Sequence, residues 1–357
     1  MNDLKFDLND IVIVPAEESN IESRSECNVY YENGMLPLIA APMDTVVSPN
    51  NFQSYIGNCI VPCLPRKSYV VRHKDNRDIF YSERFYFQSF GLCDIEKSLN
   101  QYKSGDEFYR KDNKAFYNYP NILIDIANGH MSKLIPIIKS IKQKFPDITL
   151  MIGNVANPET FANLGMAGAD YVRCSIGTGA GCTTAANVSI NYPMGSLIEE
   201  CRKQKKELGL KTKIVADGGM KNYSDIIKAL ALGADFVMMG STFNKTIESA
   251  GFNYLWGIKI PYKLAELLWK WGFPIKKKYR GMSTKAVQRS WGKSKLVTAE
   301  GITKYQNVEY SLEQWTENFR DYLKSAMSYS NAKKLDDFIG VAQYVFITDA
   351  ARKRFDK

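Results

Sequence analysis

The chain has 357 residues, 45% of them hydrophobic and 24% charged, which supplies a sizeable core and excludes a disordered chain. No apolar run approaches a bilayer span, and the N-terminus, Met1-Asn2-Asp3-Leu4-Lys5-Phe6-Asp7, mixes charges without an apolar core, so neither a membrane helix nor a secretory signal is expected. The 47 Lys and Arg against 38 Asp and Glu leave a net charge of +9, which favours anionic partners, but the basic residues are spread in short clusters such as Lys276-Lys277-Lys278 that read as solvated lysines and not as a nucleic-acid surface.

Eight short apolar runs follow one another along the chain: Leu36–Ala41, Cys59–Leu64, Phe85–Ser89, Ile122–Ile126, Ile148–Ile152, Tyr171–Ile176, Lys213–Ala216 and Phe236–Met239. Their unbroken hydrophobicity predicts buried parallel strands. Helical patterns separate the later ones. Met131, Leu134, Ile135, Ile138 and Ile141 make one apolar face, and Asn157-Pro158-Glu159 reads as an N-cap, a first-turn proline and an early acid. Ala167-Gly168-Ala169-Asp170-Tyr171-Val172 is echoed by Leu232-Gly233-Ala234-Asp235-Phe236-Val237, each where a helix returns to a strand. Eight strands and a repeated αβ unit predict an α/β fold, a single (β/α)8 TIM barrel over residues 1–357 with an N-terminal extension. Residues 252–277, with Trp256, Trp269, Trp271 and an amphipathic run Tyr262–Trp271, are expected as an insertion after strand eight. The seven cysteines are scattered without CxxC pairs, and the two histidines offer no metal cluster, which places the chain in a reducing, cytoplasmic setting.

The segment Ser175-Ile176-Gly177-Thr178-Gly179-Ala180-Gly181-Cys182-Thr183-Thr184 follows the sixth strand directly. Three glycines in five positions let backbone groups approach a ligand or ion, and a cysteine closing such a loop is poised as a nucleophile. Asp217-Gly218-Gly219 closes strand seven and Gly240-Ser241 closes strand eight, the two places where barrels build phosphate sites from loop amides. Asp217 is placed to accept hydrogen bonds from ribose hydroxyls.

These pieces, with Ser23-Arg24-Ser25-Glu26, Ala41-Pro42-Met43-Asp44-Thr45-Val46, Asp125-Ile126-Ala127-Asn128-Gly129, Gly153-Asn154-Val155, Tyr279-Arg280-Gly281-Met282-Ser283 and Glu300-Gly301, resemble the inosine-monophosphate dehydrogenase and guanosine-monophosphate reductase family, in family order over nearly the whole chain. Three features are more similar to the reductases. No pair of CBS modules fits between strands two and three, the Asp125–Gly129 stretch has the reductase form, and the Met282–Glu300 stretch is short and lacks the Arg-Tyr pair of a dehydrogenase flap.

The resemblance implies NADPH-dependent reductive deamination of GMP, or a close purine nucleotide such as dGMP, to IMP and ammonia. Cys182 would be the nucleophile, and Thr184 with Glu300 the proton relay to the leaving amine. The nucleotide would meet Asp217, Gly218, Gly219, Gly240, Ser241, Gly281, Met282, Ser283 and Gly301. The dinucleotide would meet Ser23, Arg24, Lys67, Asp125, Ile126, Ala127, Ile176 and Gly177, with Ser325 and Ser328 reaching a neighbouring subunit's cofactor in a homotetramer. The carbonyls of Gly177, Gly179 and Cys182 resemble a potassium site. A CBS-less, NAD-dependent IMP dehydrogenase and a non-catalytic purine-nucleotide sensor stand as the alternatives. The chain departs from the family pattern at Ala185, Val297 and Ala299, where family side chains touch nucleotide or cofactor, which leaves the purine open. Neither a membrane nor nucleic acid is expected as a partner.

Overall fold

A computed structural model describes residues 4–69, 85–102, 115–290, 301–341 and 343–355. Its centre is a closed barrel of eight parallel strands: β1 (Leu38–Ala40), β2 (Val61–Leu64), β3 (Phe87–Phe90), β4 (Asn121–Asp125), β5 (Thr149–Val155), β6 (Tyr171–Cys174), β7 (Lys213–Asp217) and β8 (Phe236–Met239). Strand β1 closes the ring on β8, Leu38 pairing with Val237. All eight expected strands are present, their ends moved by no more than three residues. Alternation sets the packing: in β4, Ile122 and Ile124 face the surrounding helices while Leu123 joins Ile39, Cys63, Met151, Val215 and Met238 inside the ring. At the N-terminal end the barrel is plugged by rings: Tyr171 lies 5.4 Å from Phe87 and 5.6 Å from Phe236, and Tyr31 lies 4.9 Å from Phe236.

Helices α1 (Phe52–Gly57), α2 (Leu92–Gln101), α3 (Leu134–Lys144), α4 (Pro158–Ala167), α5 (Thr184–Val188), α6 (Met194–Glu207) and α7 (Tyr223–Leu232) connect the strands. The N-cap reading of Asn157 holds, its side chain accepting the Thr160 amide at 3.0 Å. The sequence echo has one structural meaning in both copies. Gly168 and Gly233 end α4 and α7 at φ +111° and +122°, conformations that glycine adopts without strain. Two residues on, Asp170 accepts the Leu150 amide of β5 and Asp235 the Ile214 amide of β7, each at 2.7 Å. Each Gly-Ala-Asp therefore stops a helix and stitches the next strand to its neighbour.

Beyond β8 the chain forms α8 (Ser241–Asn244), then a four-stranded antiparallel sheet of β9 (Asn253–Leu255), β10 (Ile258–Ile260), β11 (Lys276–Arg280) and β12 (Thr303–Asn307) in the order β10-β9-β11-β12. Helix α9 (Tyr262–Lys270) lies between β10 and β11, so residues 252–277, expected as an insertion, form a hairpin and helix that belong to this sheet. Its Ala265 and Ile275 make a small separate core with Ile247 and Val308. The basic cluster at its end is not simply solvated. Strand alternation leaves Lys276 exposed and buries Lys277 completely. Helix α10 (Lys285–Ser290) follows β11. The last long helix, α11 (Leu312–Tyr329), is N-capped by Ser311 and packs Trp315 on Tyr223 of α7 at 5.1 Å. The N-terminal strand Ile11–Ile13 pairs antiparallel with Tyr344–Phe346 outside the barrel.

Candidate active site

The site is built at the C-terminal ends of the strands. After β6 the chain turns through the glycine loop, where Gly177 has φ +81° and a side chain would lie 2.7 Å from the Ala185 amide. Ser175 and Thr178 tie the loop to β7, both hydroxyls donating to the Asp217 carbonyl, that of Thr178 at 3.1 Å. The Cys182 amide donates to the Gly179 carbonyl at 2.8 Å, and the Cys182 sulfur ends 3.2 Å from the Thr184 hydroxyl. Cys182 is only partly buried, whereas Cys27, Cys63, Cys174 and Cys201 are enclosed, and burial pushes the Cys63 thiol up to about 12. Cys182 is the cysteine that combines a glycine loop with access.

The sheet beyond β8 reaches back to this loop. Ile302 donates to the Gly181 carbonyl at 3.1 Å, Gly281 donates to the Ile302 carbonyl at 3.0 Å, and Cys182 pairs with Gly301 in an antiparallel bridge. Gly281 and Gly301 are thus packed on the cysteine loop. Tyr279, buried on β11, lies over the loop and reaches the Met43 sulfur at 3.7 Å. A side chain at Gly240 would strike that same sulfur at 2.6 Å. Arg280 forms an ion pair with Asp44, fastening the end of β11 to the loop after β1. Met282 is half-buried beside these groups and Ser283 is exposed, near Gly301.

Asp217, at the end of β7, has one carboxylate oxygen held by Arg173 at 2.7 Å and by Asn154 at 2.7 Å. Its other oxygen takes no hydrogen bond among the described residues. Arg173 also binds Asp125 at 2.9 Å, and Arg66 binds Asp125 from the other side at 2.9 Å. Burial works to raise the Asp125 carboxyl, and Arg66 and Arg173 overcome it and hold the group below its ordinary value. Gly153, between Asp125 and Arg173 in the register, leaves the room: a side chain there would run into Arg173 at 2.6 Å.

The expected cofactor residues fall into two groups. Ser23 caps the turn Arg24–Glu26, and Arg24 reaches Ser325 of α11 at 3.2 Å, while the Ser328 hydroxyl donates to the Ser325 carbonyl at 2.8 Å. Asp125 and the buried Ile126 lie at the end of β4, followed by exposed Ala127, and Ile176 sits half-buried in the cysteine loop. Lys67 is exposed, and its neighbour Arg66 is the cation that engages Asp125. Ser241 opens α8 beside Gly240. Glu300, Val297 and Ala299 lie outside the described residues. A cavity of about 230 Å³ touches Gly218 and Gly219 together with Thr178, Lys221 and Asp7–Asn9 of the N-terminal extension, but neither Cys182 nor Gly240 lines it, so it is not the cleft for a reacting base.

Arg66 and Arg173 were not anticipated. The signal for Arg173 was an arginine inside the apolar run Tyr171–Ile176, because a cation in a buried strand requires carboxylates around it.

A barrel carrying an accessible cysteine on a glycine loop, with two further glycine turns at adjacent strand ends, has the layout of an α/β-barrel enzyme, whose sites lie at the C-terminal strand ends. Residues 108–355 match the family model described as IMP dehydrogenase / GMP reductase domain, and the chain belongs to that family of purine-nucleotide oxidoreductases. It is 27% identical to human GMP reductase 2 over 367 residues, covering all of this chain and 98% of that protein, and 27% identical to mouse GMP reductase 1 over 359 residues. It is 34% identical to inosine-5'-monophosphate dehydrogenase of Chlorobaculum parvum over 231 residues, a match spanning 64% of this chain and 45% of that protein.

Proposed function

We propose that the protein is a GMP reductase, converting GMP or a close purine nucleotide to IMP and ammonia with NADPH. The observation that carries the reading is the Cys182 sulfur at 3.2 Å from the Thr184 hydroxyl, on a loop pinned by Gly281 and Ile302. The end-to-end match to GMP reductases supports it, as does the short span of residues 65–86 between β2 and β3, which fits one barrel domain without an inserted module.

The Cys182 thiolate adds to C2 of the guanine ring, and the exocyclic nitrogen leaves as ammonia. An amide anion is too poor a leaving group, so the nitrogen must be protonated first. In this reading the Thr184 hydroxyl, 3.2 Å from the Cys182 sulfur, passes that proton, and the Glu300 carboxylate directs it. Loss of ammonia leaves a thioimidate on Cys182. The nicotinamide cofactor would supply the hydride that C2 takes up, and breaking the carbon–sulfur bond would then give IMP and free Cys182.

Asp217 uses its uncommitted oxygen to accept a ribose hydroxyl, while Arg173 and Asn154 hold the carboxylate still. The amides of Gly218, Gly219, Gly240 and Ser241 meet the phosphate, and Gly281, Met282, Ser283 and Gly301 close over the base. Exposed Arg24 and Lys67 would meet the additional phosphate that separates NADPH from NADH. Asp125 is already occupied by two arginines, so it acts toward the dinucleotide by ordering the end of β4.

The potassium reading also fits. The carbonyls of Gly177 and Cys182 accept no backbone amide among the described residues, and that of Gly179 accepts one, leaving a lone pair. A monovalent cation held there would stiffen the loop that presents the thiolate. Assembly as a tetramer, with Ser325 and Ser328 near a neighbour's cofactor, completes this reading.

The 34% identity to an IMP dehydrogenase over 231 residues favours a second reading, NAD-dependent oxidation of IMP through the same cysteine. One experiment separates them. GMP with NADPH and potassium should consume NADPH and release one ammonia per NADPH, and Cys182→Ala should abolish both. NADH formation from IMP and NAD, with GMP inert, would establish the dehydrogenase instead.

A further inference from the structure

The insertion carries two apolar faces. On one, Ala265, Leu268 and Trp269 of α9 pack against Ile247, Ile275 and Val308. On the other, Leu264, Leu267 and Trp271 follow at spacings of three and four residues and are 43%, 45% and 68% exposed. The β9–β10 hairpin adds Trp256 and Ile258, 74% and 67% exposed. Trp256 meets Phe273, just past the helix, at 6.2 Å, so hairpin tip and helix end lie side by side. Lys259, Lys263, Lys270 and Lys276 stand exposed around this surface. Residues 252–278 contain a single acid, Glu266, which Lys270 already pairs at 2.9 Å, and no arginine.

We propose that this face docks on an anionic lipid bilayer, lying on its surface without crossing it. Tryptophan and aliphatic side chains that project from a short amphipathic helix favour the boundary between headgroups and acyl chains, and lysines with long apolar stems reach the phosphates above them. A second copy of the same face is disfavoured, because a two-fold contact would set this run of lysines against its own image. A single strand of nucleic acid is disfavoured because Ile258, Leu264 and Leu267 are aliphatic, which leaves Trp256 and Trp271 as the rings of this surface and no continuous stacking track, and residues 252–278 supply no arginine. Among the described residues no helix is long and apolar enough to cross a membrane, which agrees with a surface mode.

The test is sedimentation of the full chain with phosphatidylcholine vesicles, with and without phosphatidylserine, at low and high salt. The protein should pellet with the serine-containing vesicles, less so at high salt, and stay in solution with phosphatidylcholine alone. The double variant L264D/L267D and, separately, the triple variant K259E/K263E/K270E should each lose about a hundredfold in partitioning while keeping the parent melting temperature. No pelleting with anionic vesicles overturns the proposal. So does a change of molecular mass by light scattering in L264D/L267D, which would make the face a contact between copies. Loss of oligonucleotide binding in K259E/K263E/K270E with vesicle binding unchanged overturns it as well.

Discussion

Arg173 holds Asp217 at 2.7 Å on one side and Asp125 at 2.9 Å on the other, so the ends of β7 and β4 share one buried cation. In the function proposed, these two carboxylates belong to different ligands, Asp217 to the nucleotide and Asp125 to the dinucleotide side. The arginine sets the spacing between them through bonds made before either ligand arrives.

Removing that cation should be costly. Arg173→Met would leave two buried carboxylates near each other with only Arg66 and Asn154 as partners, a loss of about 3–5 kcal/mol. The pH dependence has a definite sign. Because the folded Asp125 carboxyl is held below its ordinary value, its contribution is present above the unfolded value of about 3.9 and is lost as pH falls through the folded value. Urea unfolding at neutral and acidic pH should show the parent losing stability on acidification, and Arg173→Met losing less. Equal slopes would mean that Arg173 does not set the charge of this pair.

Lys277 is a second buried cation, with a different outcome. Its amine is wholly enclosed and donates to the Ser249 carbonyl at 2.6 Å, one acceptor for a group that would carry three donors when charged. Burial lowers it to about 7, against an opposing pull from Glu248. Its ordinary value is 10.5, so between about 7 and 10.5 the unfolded chain holds a proton that the folded chain does not, and stability rises with pH across that window. Lys277→Met, nearly the same shape without the charge, should raise the melting temperature at pH 7 and flatten this rise. An unchanged slope from pH 7 to 9.5 would show that the side chain is not the titrating group.

The barrel was legible in the sequence because parallel strands covered on both faces must be apolar throughout, as in Ile122–Ile126 and Phe236–Met239. The turns at Gly177 and at Gly218-Gly219 were legible because their backbone runs at positive φ, which glycine adopts without strain. Arg173 was visible as an anomaly in a buried strand, but its partners lie 44 and 48 positions away and only barrel closure brings them in. Lys277 was hidden for a related reason: three consecutive lysines look solvated until strand alternation turns the middle one inward. The insertion's tryptophans gave away a departure from a plain barrel but not the exposed rim of Trp256 and Trp271.

Thr184 lies 3.2 Å from the Cys182 sulfur and takes the proton-relay role in the mechanism proposed. Thr184→Val keeps the shape and removes the hydroxyl. The turnover number should fall by about 100-fold with little change in KM for GMP, since proton transfer to the leaving nitrogen is made in the transition state. A substrate analogue whose C2 substituent leaves without protonation should be processed by Thr184→Val at nearly the parent rate. If both substrates slowed equally, the hydroxyl would be positioning the thiol and not moving a proton.

Gly281 tests how tightly the outer sheet holds Cys182, the nucleophile of the proposed mechanism. Its backbone passes so close to Gly181 that a methyl group would collide with the Gly181 carbonyl, the group that also accepts the Ile302 amide. Gly281→Ala must therefore push β11 and the cysteine loop apart. A displacement of about 1 Å at a nucleophile is enough to cost on the order of 100-fold in rate, so kcat/KM should drop to that extent while the barrel, whose core lies elsewhere, keeps its melting temperature within a few degrees. Alkylation of Cys182 by iodoacetamide should speed up in the variant, because the loop loses its cover of Gly281 and Gly301. Slower alkylation together with full activity would mean that the sheet does not restrain the loop.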